Sequence, residues 1–265
     1  MKYKVGFIGC GNMASAIIGG LKSHAGIAAS EIIAADASEA ARTKAAEVLG
    51  IHTTSSNTEV STQADVLFLS VKPQYYETVI AEIQPTLPSG QIIVTIAPGK
   101  TLAWLKERLG AVKVVRTMPN TPALVGEGIT GVCKNELVTD EEFAYVLKLL
   151  SSFGLAEAVP ESLMDAVVSV SGSSPAYVFL FIEAMADAAV ADGMPRTQAY
   201  RFAAQAVLGS AKMVLETGKH PAELKDMVCS PAGTTIEAVR VLEEKGFRGA
   251  VMDAMKACTA KAKGI

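Results

Sequence analysis

The sequence is poor in most of the residue patterns that mark specialised surfaces. Aromatic side chains fill only 6 % of its 265 positions, with one tryptophan, Trp104. Its three histidines, His24, His52 and His220, fall in or beside loops and helix ends. No histidine, cysteine or paired-carboxylate catalytic set stands out. The four cysteines, Cys10, Cys133, Cys229 and Cys258, are scattered and form no CxxC pair. That spacing argues against a zinc site or a disulfide framework and suits a reducing compartment, so no metal and a cytoplasmic location are expected. Net charge is −3, and no Lys/Arg cluster offers nucleic acid a basic face. No uninterrupted apolar run reaches the roughly 18 residues of a membrane span. The most apolar stretch, Phe179–Val190, is broken by Glu183 and Asp187. The small apolar stretch Val5–Leu21 follows two lysines as a secretion signal would, yet Gly9, Gly11 and Asn12 fit a tight turn better.

Apolar and aromatic residues make up 50 % of the chain before any glycine is added, an excess for a monomer. The length suits two domains. Short β-like runs alternate with helical patterns up to about residue 160. Strands are expected at Lys4–Ile8, Glu31–Ala35, Val66–Ser70, Ile92–Ile96 and Val112–Arg116, with extra strands at Ile129–Cys133 and Leu155–Val159. Strands each followed by a helix indicate βαβ units and a mostly parallel sheet. Thr139 and Glu142 form a capping box at a helix start. From Glu161 onward helices are expected near 161–170, 174–192, 196–217, 221–229, 233–244 and 247–262, separated by glycine and proline. The reading is α/β: a doubly wound sheet domain over 1–160, then an all-α domain over 161–265.

Gly9-Cys10-Gly11-Asn12-Met13-Ala14 follows the first strand and opens the first helix. It has the G-x-G-x-x-G/A form of a dinucleotide fingerprint, which makes the first domain Rossmann-like. Gly9 permits the turn, Gly11 lets backbone approach a pyrophosphate, and Ala14 allows close helix–strand packing. Free N–H groups at the helix start favour the phosphates. Asp36 closes the second strand and has two readings: it binds the ribose 2′-OH of NAD, or it N-caps the next helix together with Ser38. Arg42 and Lys44 lie near enough in sequence to serve the 2′-phosphate of NADP. Two loops, Ser70-Val71-Lys72-Pro73 and Ala97-Pro98-Gly99, follow later strands and so face the ligand crevice of an open sheet. Lys72 there reaches phosphate, ribose or substrate, or is a solvated surface lysine.

Arg116-Thr117-Met118-Pro119-Asn120-Thr121-Pro122 makes a stiff loop suited to framing a pocket. In the helical half, Ser174 and Pro175 read as N-cap and first residue of a helix. Ser230-Pro231-Ala232-Gly233-Thr234-Thr235 precedes another helix; it suits a small carboxylate, or supplies a double N-cap.

GFIGCGNMA, the SVKP loop, MPNTPALV, SGSSPAY and above all LKDMVCSPAGTTIEAVRVLE (Leu224–Glu243) resemble the pyrroline-5-carboxylate reductase family across essentially the whole chain. The resemblance implies hydride transfer from NADPH or NADH to the C=N carbon of 1-pyrroline-5-carboxylate, giving L-proline. It implies cofactor contacts from Gly9 to Ala14, Asn57, Ser70, Val71, Lys72 and Pro73, with Ala97 beside the nicotinamide. Ser230, Gly233, Thr234 and Thr235 would hold the substrate, with Thr235 hydrogen-bonded to the ring nitrogen; Met118 and Asn120 would frame it and Lys72 would assist catalysis. Family members that use NADPH often carry a hydroxyl or basic residue where Asp36 stands, which puts NADP preference in doubt. A dimer through interlaced helical domains, sometimes in larger rings, is implied as well. The nearly all-apolar helix after Pro175 agrees, because a domain of that size cannot bury it alone. Two rivals remain. A 3-hydroxyacid dehydrogenase uses a helical lysine, and this helix offers Glu183 and Asp187 with no lysine until Lys212. A non-enzymatic NAD(P) sensor would not need the Ser230–Thr235 cluster.

Overall fold

The computed structural model describes residues 2–264. They pack as two compact units, 2–173 with 258–264, and 174–257.

The first unit is built on eight strands: β1 (Tyr3–Ile8), β2 (Ile32–Ala35), β3 (His52–Thr54), β4 (Ala64–Leu69), β5 (Ile92–Thr95), β6 (Lys113–Met118), β7 (Gly128–Lys134) and β8 (Gly154–Ala158). Their order in the sheet is β3-β2-β1-β4-β5-β6-β7-β8. Every neighbouring pair is parallel except β6 and β7. The expected strands form within a residue or two of their bounds. The sequence pattern missed β3, since His52-Thr53-Thr54 is short and not apolar; it forms by adding to the edge of β2.

Alternation along the strands splits the core into two layers. Val5, Phe7, Ile32, Ala34, Val66, Phe68, Ile92 and Val94 face one layer with α1 (Asn12–His24), α2 (Glu39–Leu49) and α6 (Asp140–Leu150). Ile33, Ala35, Leu67, Leu69, Ile93 and Val114 face the other, with α3 (Asn57–Gln63), α4 (Tyr76–Ile83) and α5 (Leu102–Leu109). The Phe7 and Phe68 rings stack at 4.8 Å. Each fully buried Val, Leu, Ile or Phe side chain among them stabilises the fold by about 1.5–3 kcal/mol. The capping box of Thr139 and Glu142 starts α6.

Beyond the sheet, α7 (Met164–Val167) runs into a π-helical turn, Val168–Gly172. These residues and the end of the last helix pack with the sheet unit, although the change in sequence texture begins at Glu161. The second unit contains α8 (Ser174–Ala191), α9 (Arg196–Thr217), α10 (Pro221–Val228), α11 (Thr234–Glu244) and the start of α12 (Phe247–Lys263). Ser174 belongs to α8 itself, so it is not the residue outside the helix that a cap requires; the helical turn before it already leads the chain in. Phe179, Leu180, Phe202, Leu208 and Leu215 of α8 and α9 are all exposed.

No apolar run of the sequence reaches the length of a membrane span, but the helix that holds the most apolar stretch is longer than that stretch. The 31-residue helical run Glu161–Ala191 is long enough, and apolar enough over an 18-residue stretch within it, to cross a membrane by length and composition. Glu183 and Asp187 interrupt the apolar sequence without interrupting the helix.

Candidate active site

The Gly-rich turn between β1 and α1 is fixed from both sides. Gly9 has a φ of +104°, and a Cβ there would lie 2.7 Å from the Ser70 carbonyl oxygen. Its N–H donates to the Ala35 carbonyl at 2.7 Å. The Ser70 hydroxyl donates to the carbonyls of Ile8 and Gly9 at 3.0 and 2.9 Å, so it braces the turn rather than facing a ligand. Gly11 differs: a Cβ there would meet no protein atom. Nothing within the protein therefore requires glycine at that position, whereas a closely approaching pyrophosphate does. Gly11 caps α1 without a side-chain acceptor, and the first turn carries no acid. The amides of that turn, at Asn12 and Met13, are thus left to an anion. Ala14 is fully buried against the sheet. The residues present fit a dinucleotide.

At the end of β2 the structure separates the two readings of Asp36. Ser38, not Asp36, caps α2, its Oγ accepting the Ala41 N–H at 3.3 Å. The Asp36 carboxylate accepts the Cys10 N–H at 2.8 Å through Oδ2 and the Ser38 N–H at 2.8 Å through Oδ1. Burial, with the Asp36 charge adding to it, pushes the Cys10 thiol up to about 11. Arg42 Nη1 donates to the carbonyls of Asp36 and Ala37 at 2.7 and 3.1 Å.

The other cofactor candidates lie at the ends of β3, β4 and β5. Asn57 opens α3 and donates its amide to Glu82 at 2.7 Å. Val71 packs against the second core layer, and Pro73 starts a short 3-10 turn after Lys72. Lys72 is exposed, and its ammonium has no hydrogen-bond or ion-pair partner among the described residues. Ala97 is buried. Its position depends on residues that the sequence reading did not single out. Tyr76, fully buried, donates its phenol to the Leu69 carbonyl at 2.6 Å and shares a hydrogen bond with Thr95 Oγ1 at 2.9 Å. Burial raises the Tyr76 phenol far above its usual range, keeping it protonated. Thr95 Oγ1 also receives the Ala97 N–H at 3.4 Å, and Thr117 donates to the Thr95 carbonyl at 2.9 Å. This chain of bonds ties the ends of β4, β5 and β6. Its sequence signal was Thr95, the single polar residue ending the apolar strand β5.

Met118 packs its methyl group near Gly172. The Asn120 side chain is engaged at both ends: Nδ2 donates to the Ser171 carbonyl at 3.1 Å, and Oδ1 accepts the Ile129 N–H at 2.9 Å. It holds the loop in shape. Among the described residues no group of three or more His, Cys, Asp or Glu is placed to hold a metal ion.

In the helical unit, Ser230–Gly233 forms a turn closed by the Gly233 N–H on the Ser230 carbonyl at 3.1 Å. Ala232 has a φ of +55°, the sole non-glycine residue with positive φ among those described. Such strain costs about 1–3 kcal/mol and gathers at functional sites. A Cβ on Gly233 would sit 2.3 Å from Ser230 Oγ, so any larger residue there would push the Ser230 hydroxyl out of its place. Gly233 caps α11 with no side-chain bond. The expectation that the threonines cap the helix is therefore not met: Thr234 and Thr235 are its first two residues. No hydroxyl of Ser230, Thr234 or Thr235 has a partner among the described residues, and Thr235 is half-buried. The helix start thus presents free amides and three uncommitted hydroxyls.

Residues 161–265 match the family model for pyrroline-5-carboxylate reductase dimerisation, and residues 4–99 match that for NADP oxidoreductase, coenzyme F420-dependent. The chain is 54 % identical to pyrroline-5-carboxylate reductase of Escherichia coli (strain K12), covering 100 % of this chain and 99 % of that one. It is 43 % identical to the enzyme of the same name from Methanosarcina acetivorans, over 99 % of this chain and 97 % of that relative. Among solved structures, Plasmodium falciparum pyrroline carboxylate reductase with NADP bound aligns with a TM-score of 0.90 at 33 % identity, covering 100 % of this chain and 98 % of that one. The free amides at the two helix starts, and likeness that runs from end to end of both units, converge: the chain belongs to the pyrroline-5-carboxylate reductase family.

Proposed function

We propose that this chain reduces the C=N bond of 1-pyrroline-5-carboxylate to give L-proline, with Thr235 as the residue that meets the ring nitrogen. The observation that carries the residue assignment is the start of α11, where Gly233 caps the helix and leaves Thr234 and Thr235 uncommitted. The amides there take the substrate carboxylate, and Ser230 and Thr234 add hydroxyl contacts. Thr235 hydrogen-bonds the ring nitrogen, which carries the added proton in the product. A bound NADPH or NADH supplies the hydride. The α1 amides and Gly11 hold its pyrophosphate, and Val71, Pro73 and Ala97 line its path across the carboxyl ends of β4 and β5. Lys72 puts a mobile positive charge near anionic ligand groups. The Tyr76–Thr95 bonds fix the strand ends that orient the dinucleotide.

The apolar side chains exposed on α8 and α9 are covered by a second copy, giving a homodimer through residues 161–265. The match to a dimerisation model supports a protein partner over a lipid one for the Glu161–Ala191 run. Four free cysteines suit the cytoplasm.

Oxidation of NADPH and NADH is followed with 1-pyrroline-5-carboxylate, with 3-hydroxy acids in the reverse direction, and without substrate. Turnover confined to the pyrroline is expected. Turnover of hydroxy acids instead, or binding without turnover, overturns the reading.

A further inference from the structure

The second core layer contains a hydroxyl that packing does not need. Tyr76 begins α4 and is fully buried, and a phenylalanine ring would fill the same space. A buried hydroxyl is costly unless it is bonded, and this one is bonded twice. The phenol has a single hydrogen, which goes to the Leu69 carbonyl at 2.6 Å. Thr95 therefore donates its own hydroxyl hydrogen to Tyr76 Oη at 2.9 Å. That leaves a Thr95 lone pair to accept the Ala97 N–H at 3.4 Å. The bonds run in one direction, from Ala97 through Thr95 and Tyr76 to Leu69. Ser70 comes next, and its hydroxyl is bonded to the carbonyls of Ile8 and Gly9 in the Gly-rich turn. One continuous path thus joins the loop after β5 to the turn before α1. The strand order reverses between β1 and β4, which is where a dinucleotide crosses such a sheet, one half toward β2 and the other toward β5.

We propose that Tyr76 is a positioning residue for hydride transfer: its hydroxyl fixes the loop after β5 relative to the Gly-rich turn and so sets where the nicotinamide half rests, a role that rests on the reductase reading. The pyrophosphate is held elsewhere, at the start of α1, so the phenol controls turnover rather than dinucleotide affinity. Tyr76 is buried and acts through Thr95 and Ala97, not by contact with substrate. Burial keeps its phenol protonated, so it holds the loop and moves no proton. Without that hydroxyl, Thr95 is free to turn its hydrogen toward another acceptor, and the Ala97 N–H loses a fixed partner. A misplacement of about 1 Å at a reacting centre costs up to about 100-fold in rate.

Tyr76→Phe and wild type are compared as full-length proteins. With 1-pyrroline-5-carboxylate, kcat is expected to fall about 10- to 100-fold in the variant. Calorimetric Kd values for NAD+ and NADP+ are expected to stay within about twofold of wild type. Amide exchange in the ligand-free protein, read by peptide mass, is expected to quicken over 96–101 and to stay unaltered over 9–14. Thr95→Val, which also deletes a hydroxyl and keeps the bulk, should reproduce all of this, and Thr95→Ser should retain kcat. Tyr76→Phe joined to Thr95→Val should lose no more than the greater single loss, because both cut the same path. Wild-type kcat in Tyr76→Phe, Kd values that weaken as much as kcat falls, unaltered exchange over 96–101, or additive losses in the pair overturn the assignment while the reductase reading stands. Wild-type protein that does not turn over the pyrroline overturns both.

Discussion

The Arg116 guanidinium, 4 % exposed at the end of β6, donates to the Glu161 carboxylate at 2.8 Å. The same Glu161 oxygen accepts the Leu102 N–H at 2.7 Å, at the start of α5. One carboxylate thus neutralises a buried cation and anchors a helix terminus. Removing one partner of a buried pair leaves an uncompensated charge. Glu161→Ala is expected to destabilise the protein by about 2–3 kcal/mol, the part exposure of Glu161 tempering the full effect. Urea unfolding should show a lower midpoint at unchanged slope, and Arg116→Leu with Glu161→Leu together should lose less than Glu161→Ala alone. An unshifted midpoint for Glu161→Ala would show the pair to be idle.

Thr235→Ala is expected to lower kcat/KM by roughly 100-fold, the low end for loss of a positioned hydrogen-bonding group. Thr235→Ser, which keeps a hydroxyl, should retain most of the activity. Steady-state kinetics check this, with circular dichroism to show that α11 is intact. Unchanged kinetics in the alanine variant remove Thr235 from the mechanism.

Burial pushes the thiols of both Cys10 and Cys133 up to about 11. At pH 8 only about one part in a thousand of either is thiolate. Iodoacetamide should therefore leave both unlabelled in the folded protein and label both after unfolding in urea, read by peptide mass. The sign for stability follows. The unfolded thiol, with an ordinary value of 9.0, loses its proton first, so these groups have no effect below about pH 9 and lower stability as pH rises from 9 toward 11. Rapid labelling of Cys10 at pH 8 would contradict the burial seen here.

Exposed Phe179, Leu180, Phe202 and Leu215 predict self-association. Sedimentation at micromolar protein should give a dimer or larger. A monomeric species would leave these side chains unexplained and sink the homodimer.

Much of the architecture was written in local pattern. Short, nearly continuous apolar runs specified β1, β2, β4, β5 and β6, because a strand buried on both faces needs them. Glycine and proline marked the helix boundaries from Ser174 onward. The fingerprint Gly9–Ala14 announced a dinucleotide because its glycines serve steric needs that few other folds impose. By contrast, β3 needed a neighbour, since His52-Thr53-Thr54 gains order only by pairing with β2. The same holds at the level of single side chains. Whether Asp36 caps a helix or braces a turn depends on Cys10, 26 residues away. Whether Asn120 is free depends on Ser171 and Ile129. Whether Thr235 is free depends on Gly233 taking the cap position. Composition and periodicity report which surfaces must be buried. Hydrogen-bond partners are assigned only when distant segments meet, and that meeting separated the side chains that hold this fold from those left for a ligand.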